Sequence, residues 1–285
     1  MNTVRTVAEL RAALAEPRRA GRSIGLVPTM GAFHDGHLEL MRRARAENDL
    51  VVVSLFVNPA QFGPSEDLAT YPRDEAGDAS QAAEIGVDVL FAPAVEEVYP
   101  PGFSTTVSVG GLTEVLDGHT GQRGAEHFHG VTTVVAKLLN MAQPDAAYFG
   151  QKDAQQALVI KRLVRDLDIP VRIEVVPTVR EPDGLAMSSR NAYLTEEERE
   201  RALGLSRALE AADREVAAGR RDARSVIAAA SRELDARGIE PEYLELRSAD
   251  DLSPADRVNG RTLLAVAARV GRARLIDNAI LGDQT

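Results

Sequence analysis

Residues 50–57 read LVVVSLFV, an apolar run with a single polar member. It does not alternate, so a strand formed here is covered on both faces, the habit of parallel sheets flanked by helices. The run breaks at Asn58-Pro59, a common turn start. Shorter apolar runs recur at 24–27, 87–91, 146–149 and 171–176, and helical patterns occupy 7–14, 78–85, 131–141 and 155–167. Strands and helices alternating at this spacing predict βαβ units and a doubly wound, Rossmann-like parallel sheet of the α/β class. Beyond about Thr195 the texture changes. Charged, alanine-rich helices are expected at 196–218 and 223–237, followed by a small antiparallel sheet from 243–247, 262–270 and 274–281. The expected division is a Rossmann-like domain over 1–186 and a smaller C-terminal α+β domain over 187–285.

Composition narrows the function classes. A chain of 285 residues, 44% hydrophobic, has material for a core in one large domain or two ordinary ones. Its 33 basic against 43 acidic residues leave a net charge of −10, which argues against a partner such as nucleic acid. Any basic site is therefore local. The absence of cysteine excludes disulfides and thiolate chemistry and fits a reducing compartment. Residues 1–14 carry both charges in a helical pattern unlike a signal peptide, and the apolar runs are too short for a bilayer. A cytoplasmic chain with no membrane partner is the expectation.

In doubly wound sheets ligands bind beyond the carboxyl ends of the strands. Four loops fall there: 29–37, 58–63, 150–153 and 178–180. The first reads Val27-Pro28-Thr29-Met30-Gly31-Ala32-Phe33-His34-Asp35-Gly36-His37 and runs straight into a helical pattern. Strand, glycine-bearing turn and helix start place backbone N–H groups and a positive dipole end against an anion. Two imidazoles there add donors aimed at the same anion, for which a nucleotide's phosphates are the candidate. The spacing also suits surface histidines or an incidental metal pair, but no third ligand stands at zinc spacing.

The remaining loops carry weaker signals. Met187-Ser188-Ser189-Arg190-Asn191 supplies hydroxyls and a guanidinium fork suited to phosphate oxygens, although the stretch also reads as a helix start, with Thr195 and three glutamates following. Lys152, in Gly150-Gln151-Lys152-Asp153, can meet a phosphate as a point charge or be an ordinary solvated lysine; no P-loop spacing exists. Asn58 and Gln61 offer neutral donors and acceptors for a small hydroxylated substrate, or merely form the turn. Asp78 and Gln81, one helical turn apart, suit Mg²⁺ on a nucleotide as well as a solvated helix face.

Together these stretches resemble the pantothenate synthetase (pantoate–β-alanine ligase) family. The resemblance is carried by Pro28-Thr29-Met30-Gly31-Ala32-x-His34-x-Gly36-His37, Phe56-Val57-Asn58-Pro59-x-Gln61-Phe62-Gly63 and Tyr71-Pro72-Arg73. It continues through His127-Phe128-x-Gly130-Val131, Phe149-Gly150-x-Lys152-Asp153-x-Gln155-Gln156 and Val179-Arg180-Glu181-x-Asp183-Gly184-Leu185-Ala186-Met187-Ser188-Ser189-Arg190-Asn191. These appear in the family's order between residues 24 and 194.

The resemblance implies ATP- and Mg²⁺-dependent condensation of (R)-pantoate with β-alanine through an acyl-adenylate. It assigns His37 as proton donor and His34, Lys152, Ser188, Ser189 and Arg190 as donors to the transition state. ATP would be lined by Met30, Gly31, Ala32, Phe33, His34, Asp35, Gly36, His37, Gly150, Gln151, Lys152, Asp153, Val179, Met187, Ser188, Ser189 and Arg190. Gln61 and Gln156 would hold pantoate, with Gln61 also near β-alanine, and Pro28, Thr29, Met30 and Asn58 would complete the substrate-binding set. Asp78, with Gln81, is the magnesium candidate. The resemblance also implies a homodimer paired through the N-terminal domain, and a C-terminal domain that closes over the site. Two stretches depart from the family pattern: the loop 117–126 is longer and lacks the usual proline, so no substrate role is carried to Arg123, and the acidic pair before the helix is reduced to Gly77-Asp78, which leaves Asp78 the better magnesium candidate. The alternatives are another adenylyl- or cytidylyltransferase on this scaffold, a class I aminoacyl-tRNA synthetase, which size and acidity disfavour, or a non-catalytic nucleotide-sensing module.

Overall fold

The structure, a computed structural model, describes residues 1–63, 68–69, 71–119 and 123–282. The chain divides into two compact units, residues 1–150 with 159–177 and residues 151–158 with 178–285.

The first unit is built on six parallel strands: β1 (Asn2–Val4), β2 (Ile24–Thr29), β3 (Leu50–Leu55), β4 (Val89–Phe91), β5 (Ala146–Gly150) and β6 (Arg172–Val176). Their spatial order is β1-β4-β3-β2-β5-β6. Helices α1 (Val7–Arg19), α2 (Asp35–Glu47), α3 (Glu75–Ile85), α4 (Val95–Val98), α5 (Gly124–Ala142) and α6 (Ala154–Asp166) connect them, and α6 crosses from the second unit into the first. On one face Val27, Val51, Val53, Leu90 and Tyr148 pack with Leu40, Met41 and Ala44 of α2 and Ala82 of α3. On the other, α1 and α5 pack together, α5 against β2 and α1 against β4. The doubly wound α/β fold is thus present, and β3, covered on both sides, needs its nearly continuous apolar run. The edge strand β1 is not legible in the sequence, because three residues are too short to carry a pattern.

From β2 the chain steps outward through β3 to β4, then returns to the opposite side of β2 with β5. The strand order therefore reverses between β2 and β5, where open α/β sheets hold ligands. The ladder itself opens there. Pairing between β2 and β5 is confined to Gly25–Ala146 and Leu26–Ala147, whereas β2–β3 pairing runs on to Thr29–Leu55 and β5–β6 pairing to Gly150–Val176. Ile24 turns its carbonyl to Asp145 ahead of β5, and Thr29 turns its own to Phe56 beyond β3. Main-chain groups alternate sides along a strand, so Pro28 faces β5, and it has no N–H to donate. The pairing stops, leaving a crevice at the carboxyl end.

The second unit is a three-stranded antiparallel sheet, β7 (Pro241–Ser248), β8 (Thr262–Val270) and β9 (Ala273–Leu281), ordered β7-β8-β9 with α7 (Glu196–Ala217) and α8 (Ala223–Asp235). Leu205 and Leu209 of α7, Val226 and Leu234 of α8, and Leu264 and Val266 of β8 share one core. Thr195 and Glu198 form a reciprocal capping box that starts α7 where the sequence signals it. No helix among the described residues is long and apolar enough to cross a membrane.

Candidate active site

After β2 the backbone enters a turn in which Gly31 and Ala32 both have left-handed conformations, φ +89° and +53°. A side chain at Gly31 would place its Cβ 2.8 Å from Leu55 Cδ1 and 3.0 Å from Asp78 Oδ2, so glycine is required for space as well as conformation. Asp78, on α3 and 2% exposed, holds the turn. Its Oδ2 accepts the Ala32 N–H at 2.9 Å and its Oδ1 the Phe33 N–H at 2.7 Å. Burial pushes the Asp78 carboxyl above its ordinary range, against the pull of these two donors, and the neighbouring Asp74 pushes the same way as burial.

The turn delivers the chain to α2. His34 is its N-cap, its Nδ1 accepting the Gly36 N–H at 3.1 Å, and His37 Nδ1 accepts the His34 N–H at 3.4 Å. A histidine pair thus occupies the reciprocal cap usually built from Ser or Thr with Glu. An imidazole nitrogen that accepts carries no proton, so in the neutral rings the proton sits on Nε2. Both rings are half-buried, with centroids 4.1 Å apart. The start of α2 therefore offers two side-chain donors beside a positive dipole end, at the strand-order reversal.

The turn after β3 is tightly knit. Asn58, 1% exposed, accepts from the Ala60 N–H at 3.3 Å and the Tyr99 hydroxyl at 2.8 Å, and its amide donates to Gln61 Oε1 and the Gly130 carbonyl. The side chain expected to meet substrate is here the scaffold of the 3-10 turn Pro59–Gln61. Burial pushes the Tyr99 phenol up to about 12, so it remains a donor at any physiological pH. Gln61 is differently placed: its Nε2 lies 3.0 Å from Met30 Sδ, a weak acceptor that a carboxylate or hydroxyl would outcompete. The Thr29 hydroxyl is engaged with the Ser54 carbonyl at 2.7 Å, and Pro28 shapes the crevice.

Helix α5 secures this turn. Gly130 packs so closely that a Cβ would sit 2.2 Å from the Ala60 carbonyl oxygen. His127 Nε2 lies 3.1 Å from Arg123 Nη1, and its Nδ1 2.6 Å from the Gln61 carbonyl. A guanidinium only donates, so Nε2 accepts and Nδ1 carries the proton toward Gln61. This is the opposite tautomer from the α2 pair. Arg123, given no substrate role from the sequence, orients His127. The lengthened loop begins within a 3-10 turn, Leu116–Gly118, and its Thr120, Gly121 and Gln122 lie outside the described residues.

The expected magnesium pair differs in character from an open cation site. Both Asp78 oxygens serve the loop, and the Gln81 amide turns to the Gly77 carbonyl within its own helix. Among the described residues no group of three His, Cys, Asp or Glu is arranged to hold a metal.

In the second unit Gln151, Lys152 and Asp153 form a half-buried 3-10 turn leading into α6, whose first turn bears buried Gln155 and half-buried Gln156. Residues 179–187 fold into a hairpin: Arg180 bridges Ala186, and the Met187 N–H reaches the Val179 carbonyl at 3.0 Å. The hairpin feeds a second 3-10 turn, Ser189–Tyr193, capped by Ser188 Oγ accepting the Arg190 N–H at 3.3 Å. Buried Asn191 ties it back to Glu181 and the Ala186 carbonyl. Val179, Met187, Ser188, Ser189 and Arg190 are thereby gathered into one neighbourhood of this unit. A capped turn at 188–193 is compatible with a ligand role for the same residues. Three supporting residues escaped the sequence reading: Tyr99, Asp277 and Asn278. For the last two a signal existed, a polar pair inside the apolar strand LIDNAIL.

Comparison with known proteins gives the family. A family model described as pantoate-beta-alanine ligase matches residues 2–280. The pantothenate synthetase of Moorella thermoacetica is 55% identical over 99% of both chains. The crystal structure of pantothenate synthetase from Thermus thermophilus superposes with a TM-score of 0.92 at 50% identity, covering 98% of this chain and 99% of the other. The pantoate-beta-alanine ligase of Francisella tularensis, crystallised with beta-gamma ATP and beta-alanine, gives 0.81 at 34% identity over 98% of this chain and 97% of that one. With a match over nearly its whole length to the model and to these relatives, the chain belongs to the pantoate-beta-alanine ligase family.

Proposed function

We infer that this chain performs its family's reaction: ATP-dependent condensation of (R)-pantoate with β-alanine to give pantothenate, AMP and pyrophosphate. The observation that carries the reading is the histidine pair at the start of α2, with Nε2–H donors and a helix dipole at the strand-order reversal. A carboxylate resists attack by an amine because its carbonyl is electron-rich and its oxygen leaves poorly. In the first step a pantoate carboxylate oxygen bonds to the ATP α-phosphorus while the bond to pyrophosphate breaks. Charge accumulates on the phosphate oxygens, and donors set in place beforehand lower that barrier. His34, His37, Lys152, Ser188, Ser189 and Arg190 take that role in this proposal, with His37 as proton donor. In the second step the neutral amine of β-alanine attacks the acyl carbon, the bond to AMP breaks, and the amine loses a proton.

In the same reading ATP is lined by residues 30–37, 150–153, 179 and 187–190, and Gln61 and Gln156 hold pantoate. Asn58 and Thr29 act by shaping the floor beneath it. Mg²⁺ enters as the counter-ion of the triphosphate, largely water-ligated as is usual for that ion. The proposal also includes a smaller C-terminal domain that shields the adenylate from water, and a homodimer.

Exchange of labelled pyrophosphate into ATP tests the reading. Pantoate alone should drive it, and β-alanine should convert it to net pantothenate formation. Exchange driven by other hydroxy acids but not by pantoate would place the chain in another adenylylating activity; no exchange with any acid would remove the adenylate.

A further inference from the structure

Two consecutive residues of strand β9 reach out to the lysine turn 151–153 and to the 179–187 hairpin. Asn278 is 6% exposed and Asp277 3% exposed, both within the apolar stretch Leu275–Leu281 of an edge strand where asparagine and aspartate are disfavoured. Every polar atom of the Asn278 amide is engaged. Its Nδ2 donates to the Gln151 carbonyl at 3.0 Å and the Lys152 carbonyl at 2.9 Å, and its Oδ1 accepts from Gln151 Nε2 at 2.9 Å. Asp277 receives a forked pair from Arg180, Nη1 at 2.7 Å and Nη2 at 3.1 Å, and its Oδ1 also accepts the Asn278 N–H at 2.8 Å. Arg180 Nη1 reaches the Gly184 carbonyl as well, so the same guanidinium ties the 179–187 hairpin to the strand. Successive strand residues point to opposite faces, which lets one strand grip the lysine turn on one side and the hairpin on the other.

We propose that Asn278 is a positioning residue for adenylation, acting through Lys152. This rests on the reading of Lys152 as a donor to the ATP phosphates. The main chain of Lys152 is held through its own carbonyl and that of Gln151, so the direction in which the ammonium leaves the turn is constrained from β9. Asp277 performs the corresponding task for the hairpin through Arg180. Displacement of a catalytic group by about 1 Å costs on the order of 10²-fold in rate, so a clamp of three hydrogen bonds on the lysine turn has a kinetic consequence.

The experiment is a double-mutant cycle read by pantoate-dependent pyrophosphate exchange on the full chain, using Lys152→Ala, Asn278→Ala and the double variant, with urea unfolding of each. Asn278→Ala should reduce exchange by about 10- to 10²-fold. The double variant should be no slower than Lys152→Ala alone, because the positioning residue has nothing left to position. Multiplicative losses in the double variant would overturn the proposal and leave Asn278 a stability residue only. Should Asn278→Ala fail to fold, Asn278→Ser takes its place in the cycle, since its hydroxyl can donate to one of the two carbonyls. Wild-type protein that shows no exchange would instead defeat the functional reading, so the two failures are separable.

Discussion

His34 and His37 lie ring against ring at the start of α2, 4.1 Å between centroids, each with its Nδ1 turned to a main-chain N–H. In the proposed reading cap and catalyst are the same residues, and the two roles can be separated by substitution. Asparagine is a good N-cap, so His34→Asn should leave stability within about 0.5 kcal/mol, whereas His34→Ala should cost about 1 kcal/mol. Both should slow adenylation. His37→Ala should reduce pyrophosphate exchange by about 10²–10³-fold, as for loss of one transition-state donor. Exchange at a near-normal rate in His37→Ala would take His37 out of the chemistry.

The buried Asp78 carboxyl predicts a pH dependence of definite sign. Its pKa is raised in the folded chain, so the native state holds the proton to higher pH than the unfolded one. Its contribution to stability is therefore greatest below the ordinary carboxylate range and is lost as pH rises through the raised value. Asp78→Asn removes this titration. Urea midpoints of wild type and variant should shift relative to one another in favour of the variant between acid and neutral pH; parallel profiles would contradict the assignment.

Asp78→Asn also distinguishes a loop tether from a magnesium ligand. An amide cannot accept from both the Ala32 and Phe33 N–H groups in the way the two carboxylate oxygens do. Loss of the tether should raise the KM for ATP while the Mg²⁺ concentration for half-maximal exchange stays within about twofold. A large shift in that concentration would return Asp78 to the metal.

Gly130 predicts a purely steric effect. Gly130→Ala drives its methyl into the Ala60 carbonyl, 2.2 Å away, which should cost about 1–3 kcal/mol in urea unfolding and lower the affinity for pantoate by displacing Gln61. A variant of wild-type stability and activity would mean that α5 and the turn separate freely.

Tyr99→Phe removes the hydroxyl that donates to Asn58 Oδ1. Loss of that hydrogen bond should cost about 1 kcal/mol, with Asn58 still accepting from Ala60. The KM for pantoate should rise through movement of Gln61, with kcat falling less. A loss confined to kcat would point instead to a direct role for the phenol in the chemistry.

Fold class and the order of the loops follow from local sequence pattern. The run at 50–57 could only be a strand covered on both faces, and the strand-turn-helix around His34 and His37 is encoded within a dozen neighbouring residues. Capping at Thr195 was legible for the same reason: periodicity, turn chemistry and caps are local. Tertiary structure decided what each polar side chain is free to do. Asn58 and Gln61 look alike in sequence, but Asn58 is fully engaged by Tyr99, Ala60, Gln61 and Gly130, while Gln61 Nε2 is turned to a thioether. Asp78 reads as a magnesium candidate or a solvated helix residue until the fold brings Ala32 and Phe33 over it. Asn278 stands 127 positions from Gln151, and no pattern links them. A hydrogen bond is made by whichever donors the completed fold brings within about 3 Å, and which groups those are is settled only when distant segments pack.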